Sequence, residues 1–215
     1  MFLMSKYKRF FVTGIDTEIG KTVVSAMLTE ALQADYWKPI QSGDLHQSDT
    51  MKVQQLVQNT KSIFHPEAYR FTTPASPHYS AALENITIDL NTINLPSCNN
   101  TLIIEGAGGL MVPLNNTDLM IDLIAQLEDV GVILVSKNYL GSINHTLLSI
   151  EALQRRNIPI IGLVFNGTPT PATESIIELR SQLPVLARIP LETAINPQIV
   201  AKYAPIFQKS LLPFQ

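Results

Sequence analysis

Two kinds of hydrophobic pattern alternate along this chain. Short apolar runs of strand length recur, and two of them, Thr101–Ile104 and Val132–Val135, are continuously apolar, as expected of parallel strands that are covered on both faces. The six runs of strand length are Phe10–Thr13, Asp35–Ile40, Thr101–Ile104, Val132–Val135, Ile158–Phe165 and Val185–Ile189. Between several of them, apolar residues at spacings of three and four predict helices over Thr22–Gln33, Ile143–Arg156 and Pro171–Leu183. The pattern predicts an α/β fold with an open, mostly parallel sheet and helices on both faces.

Composition narrows the class of protein. No Pro/Gly/Ser-rich linker, repeat or low-complexity tract divides the sequence, so we expect residues 1–215 to form a single domain. Lysine and arginine total 15 against 18 acidic residues, a net charge of −3, which argues against a nucleic-acid partner. The only cysteine, Cys98, fits a reducing compartment. Lys6, Lys8 and Arg9 follow too few apolar residues for a signal peptide or a membrane span, so we expect a cytoplasmic protein.

Ligands of such a sheet collect at the carboxyl ends of its strands. The residues that follow the apolar runs therefore matter most for function. They are Gly14–Thr22, Lys38–Gly43, Glu105–Gly109, Ser136–Asn144, Asn166–Gly167 and Pro190–Glu192. We expect these six segments to face one cleft.

The first of these segments, Gly14-Ile-Asp-Thr-Glu-Ile-Gly-Lys-Thr22, has the form of a phosphate-binding loop. It lies between a strand and a helix, so that its backbone N–H groups and the helix N-terminus can hold phosphate oxygens. Lys21 is placed to reach the β- and γ-phosphates, and the Thr22 hydroxyl can bind Mg²⁺. Five residues rather than the usual four separate Gly14 from Gly20, so the loop is a variant. The motif predicts a P-loop NTPase type of fold.

Glu105 ends an apolar strand and precedes Gly106–Gly109. A carboxylate there can take a second position around a nucleotide-bound Mg²⁺, and the glycines allow the backbone to approach phosphates. A helix or turn cap is the alternative for Glu105. From the residues alone, three other positions each have a purely structural alternative. Lys38 fits a solvated edge residue, Asp49 an N-cap and Asn166-Gly167 a tight turn.

Five segments together resemble dethiobiotin synthetase, in the order of that family and over nearly the whole chain. They are the Gly14–Thr22 loop, Trp37-Lys-Pro-Ile-Gln-Ser-Gly43, Pro74-Ala-Ser-Pro-His78, Glu105-Gly-Ala-Gly-Gly109 and Leu140-Gly-Ser-Ile-Asn-His145. The resemblance implies ATP- and Mg²⁺-dependent closure of the ureido ring of dethiobiotin from 7,8-diaminopelargonate and CO₂, with release of ADP and phosphate.

The resemblance also implies a role for each matched residue. Lys21, Lys38 and Thr17 would be catalytic, and Thr22, Asp49 and Glu105 would surround Mg²⁺. The diamine and its carbamate would contact Thr17, Lys38, Ser42, Leu140, Gly141 and Asn144. The nucleotide would contact Glu18, Ile19, Gly20, Lys21, Thr22, Val23, Asp49, Glu105, Gly106, Ala107, Gly108, Asn166, Gly167, Pro190, Leu191 and Glu192. Because the family places the Leu140–Asn144 loop against the partner subunit's substrate, a homodimer with two shared sites is implied.

A partition-type regulatory ATPase is the main alternative within this fold. Such ATPases carry a signature lysine five residues before the lysine of the loop, whereas this chain has Asp16 there. A basic or amphipathic terminal segment for DNA or a membrane is also missing from the sequence. Both features favour the biosynthetic enzyme.

Overall fold

A computed structural model describes residues 7–214. Lys6, one of the three basic residues near the N-terminus, lies outside this range. Nine strands are found in this range: β1 (Arg9–Gly14), β2 (Asp35–Trp37), β3 (Ile40–Ser42), β4 (Phe64–His65), β5 (Tyr69–Phe71), β6 (Leu102–Gly109), β7 (Val130–Lys137), β8 (Ile160–Asn166) and β9 (Val185–Ile189). Seven of them form one parallel sheet in the order β4-β2-β6-β1-β7-β8-β9. The remaining two, β3 and β5, form a small parallel pair.

Seven α-helices accompany the strands in the described range. They are α1 (Lys21–Leu32), α2 (Asp49–Leu56), α3 (Pro77–Leu83), α4 (Met120–Gln126), α5 (Ser142–Arg155), α6 (Pro171–Ser181) and α7 (Pro197–Leu211). Helices α1 and α7 pack on one face of the large sheet, while α4, α5 and α6 pack on the other. The predicted α/β architecture, with a mostly parallel sheet and helices on both faces, is confirmed.

The central strand β1 has apolar residues in succession at Phe10–Val12 because both of its faces are covered. Phe10 and Val12 point into the core beneath α1 and α7, and Phe11 points into the core beneath α4. All three side chains are fully buried. Burial of each such side chain stabilises the fold by about 1.5–3 kcal/mol, which anchors the loop that follows β1.

The predicted strand Asp35–Ile40 is wrong as a single element, because it divides at Pro39. β2 ends at Trp37 in the large sheet, and β3 begins at Ile40 in the small pair. Pro39 has no N–H to donate to a ladder, while its carbonyl accepts hydrogen bonds from Ala68 N and Tyr69 N. The division leaves Lys38 at the carboxyl end of β2.

The predicted strand Thr101–Ile104 continues five residues further, since β6 ends at Gly109, whereas other boundaries move by one or two residues. β8 begins at Ile160 rather than Ile158, since Pro159 lies before it, and α6 ends at Ser181 rather than Leu183. Within residues 7–214, every helix is too short or too polar to cross a membrane.

Candidate active site

The loop after β1 depends on two glycines. A Cβ atom at Gly14 would lie 2.1 Å from Ile19 Cδ1, and one at Gly20 would lie 2.3 Å from Asn166 Nδ2. Gly20 also has φ +93°, in the left-handed region that favours glycine. The loop therefore closes tightly before α1 begins at Lys21.

Lys21 lies at the first position of α1 and is almost fully buried. Its Nζ donates a hydrogen bond to Asp16 O over 2.8 Å, across the mouth of the loop. Burial, and after it the neighbouring Lys38 ammonium, lowers the pKa of Lys21 to about 8. An anion bound in the loop would favour the protonated form of this side chain.

Glu105 lies in the middle of β6 and is the centre of a buried hydrogen-bond network. Its Oε1 accepts from Thr22 Oγ1 over 2.7 Å, and its Oε2 accepts from Tyr36 OH over 2.8 Å. Lys38 Nζ also donates to Oε1, over 3.3 Å. Three side chains from two segments, α1 and the end of β2, thus fix the position of one carboxylate that is only 1% exposed.

Lys38 joins this carboxylate to Asp49 at the start of α2. Its Nζ lies 2.8 Å from Asp49 Oδ2, and Lys52 Nζ lies 3.3 Å from Asp49 Oδ1. Burial opposes the charged form of Lys38, but the carboxylates of Glu105 and Asp49 outweigh it and raise the pKa of Lys38. Burial likewise opposes ionisation of Asp49, and the Lys38 and Lys52 ammonium groups reverse this effect, so that the pKa of Asp49 is lowered.

Asp49 is held in place by its neighbours. Its backbone N–H donates to Gln41 Oε1, and Gln41 Nε2 donates to Gly43 O. The N-cap of α2 is Ser48, whose side chain accepts from Met51 N. The carboxylate of Asp49 is therefore available for ionic contacts, and its alternative role as an N-cap is wrong.

The charged side chains Lys21, Lys38, Asp49, Lys52 and Glu105 line a cavity of about 750 Å³ at the carboxyl edge of the sheet. Among the residues predicted for the site, those that line it are Thr17, Glu18, Gly20, Lys21, Thr22, Val23, Lys38, Ser42, Asp49, Glu105, Gly106, Ala107 and Gly108. Three of the six strand-end segments thus meet in one cleft. The hydroxyl of Ser42 is buried there with no hydrogen-bond partner among residues 7–214.

The other predicted residues lie outside the lining of this cavity. They are Ile19, Leu140, Gly141, Asn144, Asn166, Gly167, Pro190, Leu191 and Glu192. Ile19 is buried beneath the loop, where its carbonyl accepts a 2.7 Å hydrogen bond from Asn166 Nδ2. Glu192 accepts hydrogen bonds from Lys202 and Tyr203 on α7. Three of the six strand-end segments therefore line this cavity, and Asn166 contacts the phosphate-binding loop from outside the lining. That all six segments face one cleft stays a prediction.

A second cavity, of about 820 Å³, adjoins the first. Thr17 and Val112 line both of them, and His145 and Leu148 of α5 line the second one. Leu140, at the approach to α5, is fully exposed. A ligand with a charged head and an apolar tail could extend from one cavity into the other.

Sequence reasoning missed three residues of the site: Tyr36, Gln41 and Lys52. Tyr36 had a usable signal, because residues two apart on a strand point to the same face and Tyr36 precedes Lys38 by two. Lys52 lies one helical turn after Asp49, a spacing that brings side chains together. Gln41 had no comparable signal.

The fold and the phosphate-binding loop place this chain among the P-loop nucleotide-binding proteins. The family described as an AAA domain matches residues 8–198. Among solved structures, the cell-division ATPase MinD of Pyrococcus furiosus has a TM-score of 0.61 at 15% identity, over 94% of this chain and 99% of that one. A ParA-family ATPase of Chlorobium tepidum has a TM-score of 0.57 at 16% identity, over 95% and 97%. These structures share the fold.

Curated sequence relatives have much higher identity to this chain than these solved structures do, and they identify its family. The ATP-dependent dethiobiotin synthetase BioD of Christiangramia forsetii is 52% identical over 95% of this chain and 98% of its own length. That of Cytophaga hutchinsonii is 50% identical over 92% and 95%. The chain belongs to the family of ATP-dependent dethiobiotin synthetases.

Proposed function

We propose that this chain catalyses the ATP-dependent reaction of 7,8-diaminopelargonate with CO₂, which gives dethiobiotin, ADP and phosphate. One observation carries the assignment to this site: in a chain 52% identical to a dethiobiotin synthetase, Lys38 bridges Asp49 and Glu105 next to the phosphate-binding loop. The cavity therefore combines cations for phosphate with carboxylates for a metal.

The reaction needs no protein nucleophile. One substrate amine adds to CO₂ and becomes a carbamate, whose oxygen attacks the γ-phosphorus of ATP as ADP leaves. The second amine then attacks the carbonyl carbon and expels phosphate, which closes the ring. Positioning and charge stabilisation supply most of the rate enhancement in such transfers.

The protein oxygens of the site suit Mg²⁺. Thr22 offers a hydroxyl and Asp49 and Glu105 offer carboxylates, the ligand type that this ion prefers. Thr22 Oγ1 and Glu105 Oε1 are only 2.7 Å apart, and the Lys38 ammonium group already contacts both carboxylates, so the position favours a cation. When bound, Mg²⁺ would neutralise charge on the phosphate oxygens. We assign these three residues as its protein ligands, directly or through water.

The two buried lysines would act on the transferring phosphoryl group. Lys21 projects from the helix N-terminus, where it would contact the β- and γ-phosphates. Lys38 lines the same cavity as Lys21, and its Nζ is also 3.4 Å from Gly106 O. We assign Lys38 to the carbamate and γ-phosphate charge. Thr17 and Ser42 would bind the diamine and its carbamate, consistent with the unpartnered Ser42 hydroxyl in the cavity.

We assign the adenine to the Asn166–Gly167 segment and the Pro190–Glu192 loop. Asn166 supports the phosphate loop through Ile19 O, and its side chain keeps an amide oxygen and a second N–H for the base. Glu18, Ile19, Gly20, Val23 and Gly106–Gly108 would contribute mainly backbone groups to the nucleotide.

We also propose a homodimer in which Leu140, Gly141 and Asn144 reach the partner's substrate. These residues lie outside the cavity of their own chain. Apolar side chains around the second cavity, at Met111 and Leu148, are 53% and 54% exposed, which is consistent with a face that another subunit covers. The single domain and the cytoplasmic location remain predictions from the sequence.

Phosphate release tests the assignment. With the purified chain, diaminopelargonate, bicarbonate, ATP and Mg²⁺ are each omitted in turn, and dethiobiotin is identified by mass spectrometry. We expect both products to need all four components. ATP hydrolysis that proceeds at full rate without the diamine would instead favour a regulatory ATPase.

A further inference from the structure

Three side chains of the kinds that bind transition metals lie together away from the active site. They are Asp35, at the first residue of β2, His65, at the end of β4, and Cys98, in the loop before β6. One ligand atom from each lies within 4.8 Å of the others. No other group of three such residues was found among residues 7–214.

Asp35 and His65 are already at a ligand-to-ligand distance. Asp35 Oδ2 lies 3.3 Å from His65 Nε2. Ligand atoms on a tetrahedral zinc ion, with bonds of about 2.0–2.3 Å, are separated by roughly 3.5 Å. Since the ligand atoms lie within 4.8 Å of one another, the Cys98 sulfur must approach by at most about 1.3 Å, and it lies in an irregular loop segment with partial solvent access.

The surroundings orient the Asp35 carboxylate toward this point. Its Oδ1 accepts from Ile63 N over 3.1 Å and from Asn100 Nδ2 over 3.2 Å, so Oδ2 faces His65. Asn100 is itself held by a 2.7 Å hydrogen bond from Nδ2 to Gln33 O. Such outer hydrogen bonds fix the direction of a metal ligand.

Charge also favours a cation at this point. The Asp35 side chain is 2% exposed and that of His65 is 12% exposed. His65 is the one ion-pair partner of Asp35 within residues 7–214, and a neutral imidazole would leave a buried carboxylate without a counter-charge. A divalent ion would supply that charge and leave His65 free to bind as neutral imidazole.

We propose that Asp35, His65 and Cys98 form a zinc site that ties β2 and β4 to the loop before β6 at one edge of the sheet. A carboxylate oxygen, an imidazole nitrogen and a thiolate sulfur are the three ligand types of protein-bound zinc, and a fourth position stays open to water. Mg²⁺ prefers oxygen ligands only, so this site and the proposed active-site metal differ in selectivity.

Cobalt provides the test because Cys98 is the only cysteine in the chain. The full chain, freed of any polyhistidine tag and of metal, is titrated with Co²⁺ in reducing buffer. We expect a cobalt–thiolate charge-transfer band that saturates at one equivalent and disappears when Zn²⁺ is added. Co²⁺ bound to the oxygens of Thr22, Asp49 and Glu105 cannot give this band.

Variants separate the site from adventitious binding. Cys98→Ser should abolish the band, and Asn100→Ala, which frees the Asp35 carboxylate, should weaken Co²⁺ affinity by about 10–100-fold. His65→Asn should weaken it at least as much, whereas His46→Asn is a control that should change nothing. Zn²⁺ should raise the melting temperature of the wild type but not of Cys98→Ser. Absence of the band at saturating Co²⁺, or an equal band in His65→Asn, would overturn the proposal.

Discussion

The Tyr36 hydroxyl donates a 2.8 Å hydrogen bond to Glu105 Oε2, and both side chains are buried. The two residues are 69 positions apart and meet because β2 pairs with β6, with Tyr36 opposite Ile103. Burial first, and then the charge of Glu105, raises the pKa of Tyr36, so its hydroxyl stays protonated and remains a donor. Tyr36 is therefore a positioning residue for the carboxylate that we assign to Mg²⁺.

Tyr36→Phe should raise the Mg²⁺ concentration needed for half-maximal activity by about 10–100-fold, because Glu105 loses one of the groups that orient it. Activity at saturating Mg²⁺ should recover in part. Tyr69→Phe is the matched control, since Tyr69 OH pairs with Thr92 Oγ1 outside the cavity. An unchanged Mg²⁺ dependence in Tyr36→Phe would show that the bond has no role in metal binding.

Glu105→Ala should lower turnover by about 10²–10³, the cost of removing a charge-stabilising group. The Mg²⁺ dependence should change with it, while circular dichroism reports an intact fold. Full activity with the wild-type Mg²⁺ dependence would contradict the metal assignment.

Lys38→Gln should reduce kcat far more than it raises the KM for ATP, because the lost interaction is strongest in the transition state. The variant also leaves Glu105 and Asp49 without their shared buried cation, so a lower melting temperature is expected, for a loss of roughly 3–5 kcal/mol. Lys52→Gln removes a more exposed partner of Asp49 and should have a smaller effect on both measurements. A change confined to KM would limit Lys38 to substrate binding.

The lowered pKa of Lys21 predicts how the stability of the folded protein changes with pH. With a pKa of about 8 in the folded protein and 10.5 in the unfolded chain, the unfolded chain holds more protons between these values. Below pH 8 the buried charge of Lys21 therefore makes its whole destabilising contribution to the free energy of unfolding. This contribution decreases as the pH rises from 8 toward 10.5.

Bound phosphates favour protonated Lys21, so ATP binding above pH 8 should take up a proton and weaken as the pH rises. Calorimetry in buffers of different ionisation enthalpy measures this uptake. Lys21→Arg keeps a permanent charge and should remove most of the pH dependence. Equal pH dependence in the two proteins would assign the effect to another group.

The parts of the fold that could be predicted from the sequence are those with strong local signals. β6 is continuously apolar up to Glu105, and the Gly14–Thr22 segment has a fixed spacing, so both follow from nearby residues. β4 and β5 are only two and three residues long and have no periodicity to detect. Helix α7 is absent from the predictions although its buried residues Val200, Tyr203, Phe207 and Leu211 have helical spacing, because Pro205 lies among them and a proline ordinarily marks a break in a helix.

The candidate active site likewise contains some residues with a local sequence signal and others without one. Lys21 and Thr22 belong to a local motif, whereas the contacts of Glu105 with Tyr36 and Lys38 depend on the pairing of β2 with β6. Pairing between distant strands depends on the packing of the whole sheet, so it cannot be inferred from the local pattern of residues around either strand. The assignments of Lys38 and Asp49 therefore came from the family resemblance rather than from spacing.

The proposed homodimer makes a prediction about mixed subunits. Gly141 has φ +106° at the N-terminus of α5, so any other residue there is strained and a large one would also fill the space in front of the helix. Gly141→Trp should impair diamine binding more than ATP binding, with Gly141→Ala as the control for strain without bulk. If the site is shared, dilution below the dissociation constant of the dimer should also abolish activity.

Mixing Gly141→Trp subunits with Lys38→Gln subunits tests the sharing directly. In a mixed dimer, one site would combine the intact Lys38 of the first subunit with the intact Gly141 of the second, and the other site would carry both defects. Random exchange makes half of the dimers mixed, so about a quarter of wild-type activity should return. A site confined to one chain would always contain one defect, and no activity would return. Activity should therefore be measured alongside native mass spectrometry, because absence of recovery in proven mixed dimers, or full activity in a proven monomer, would refute the shared site.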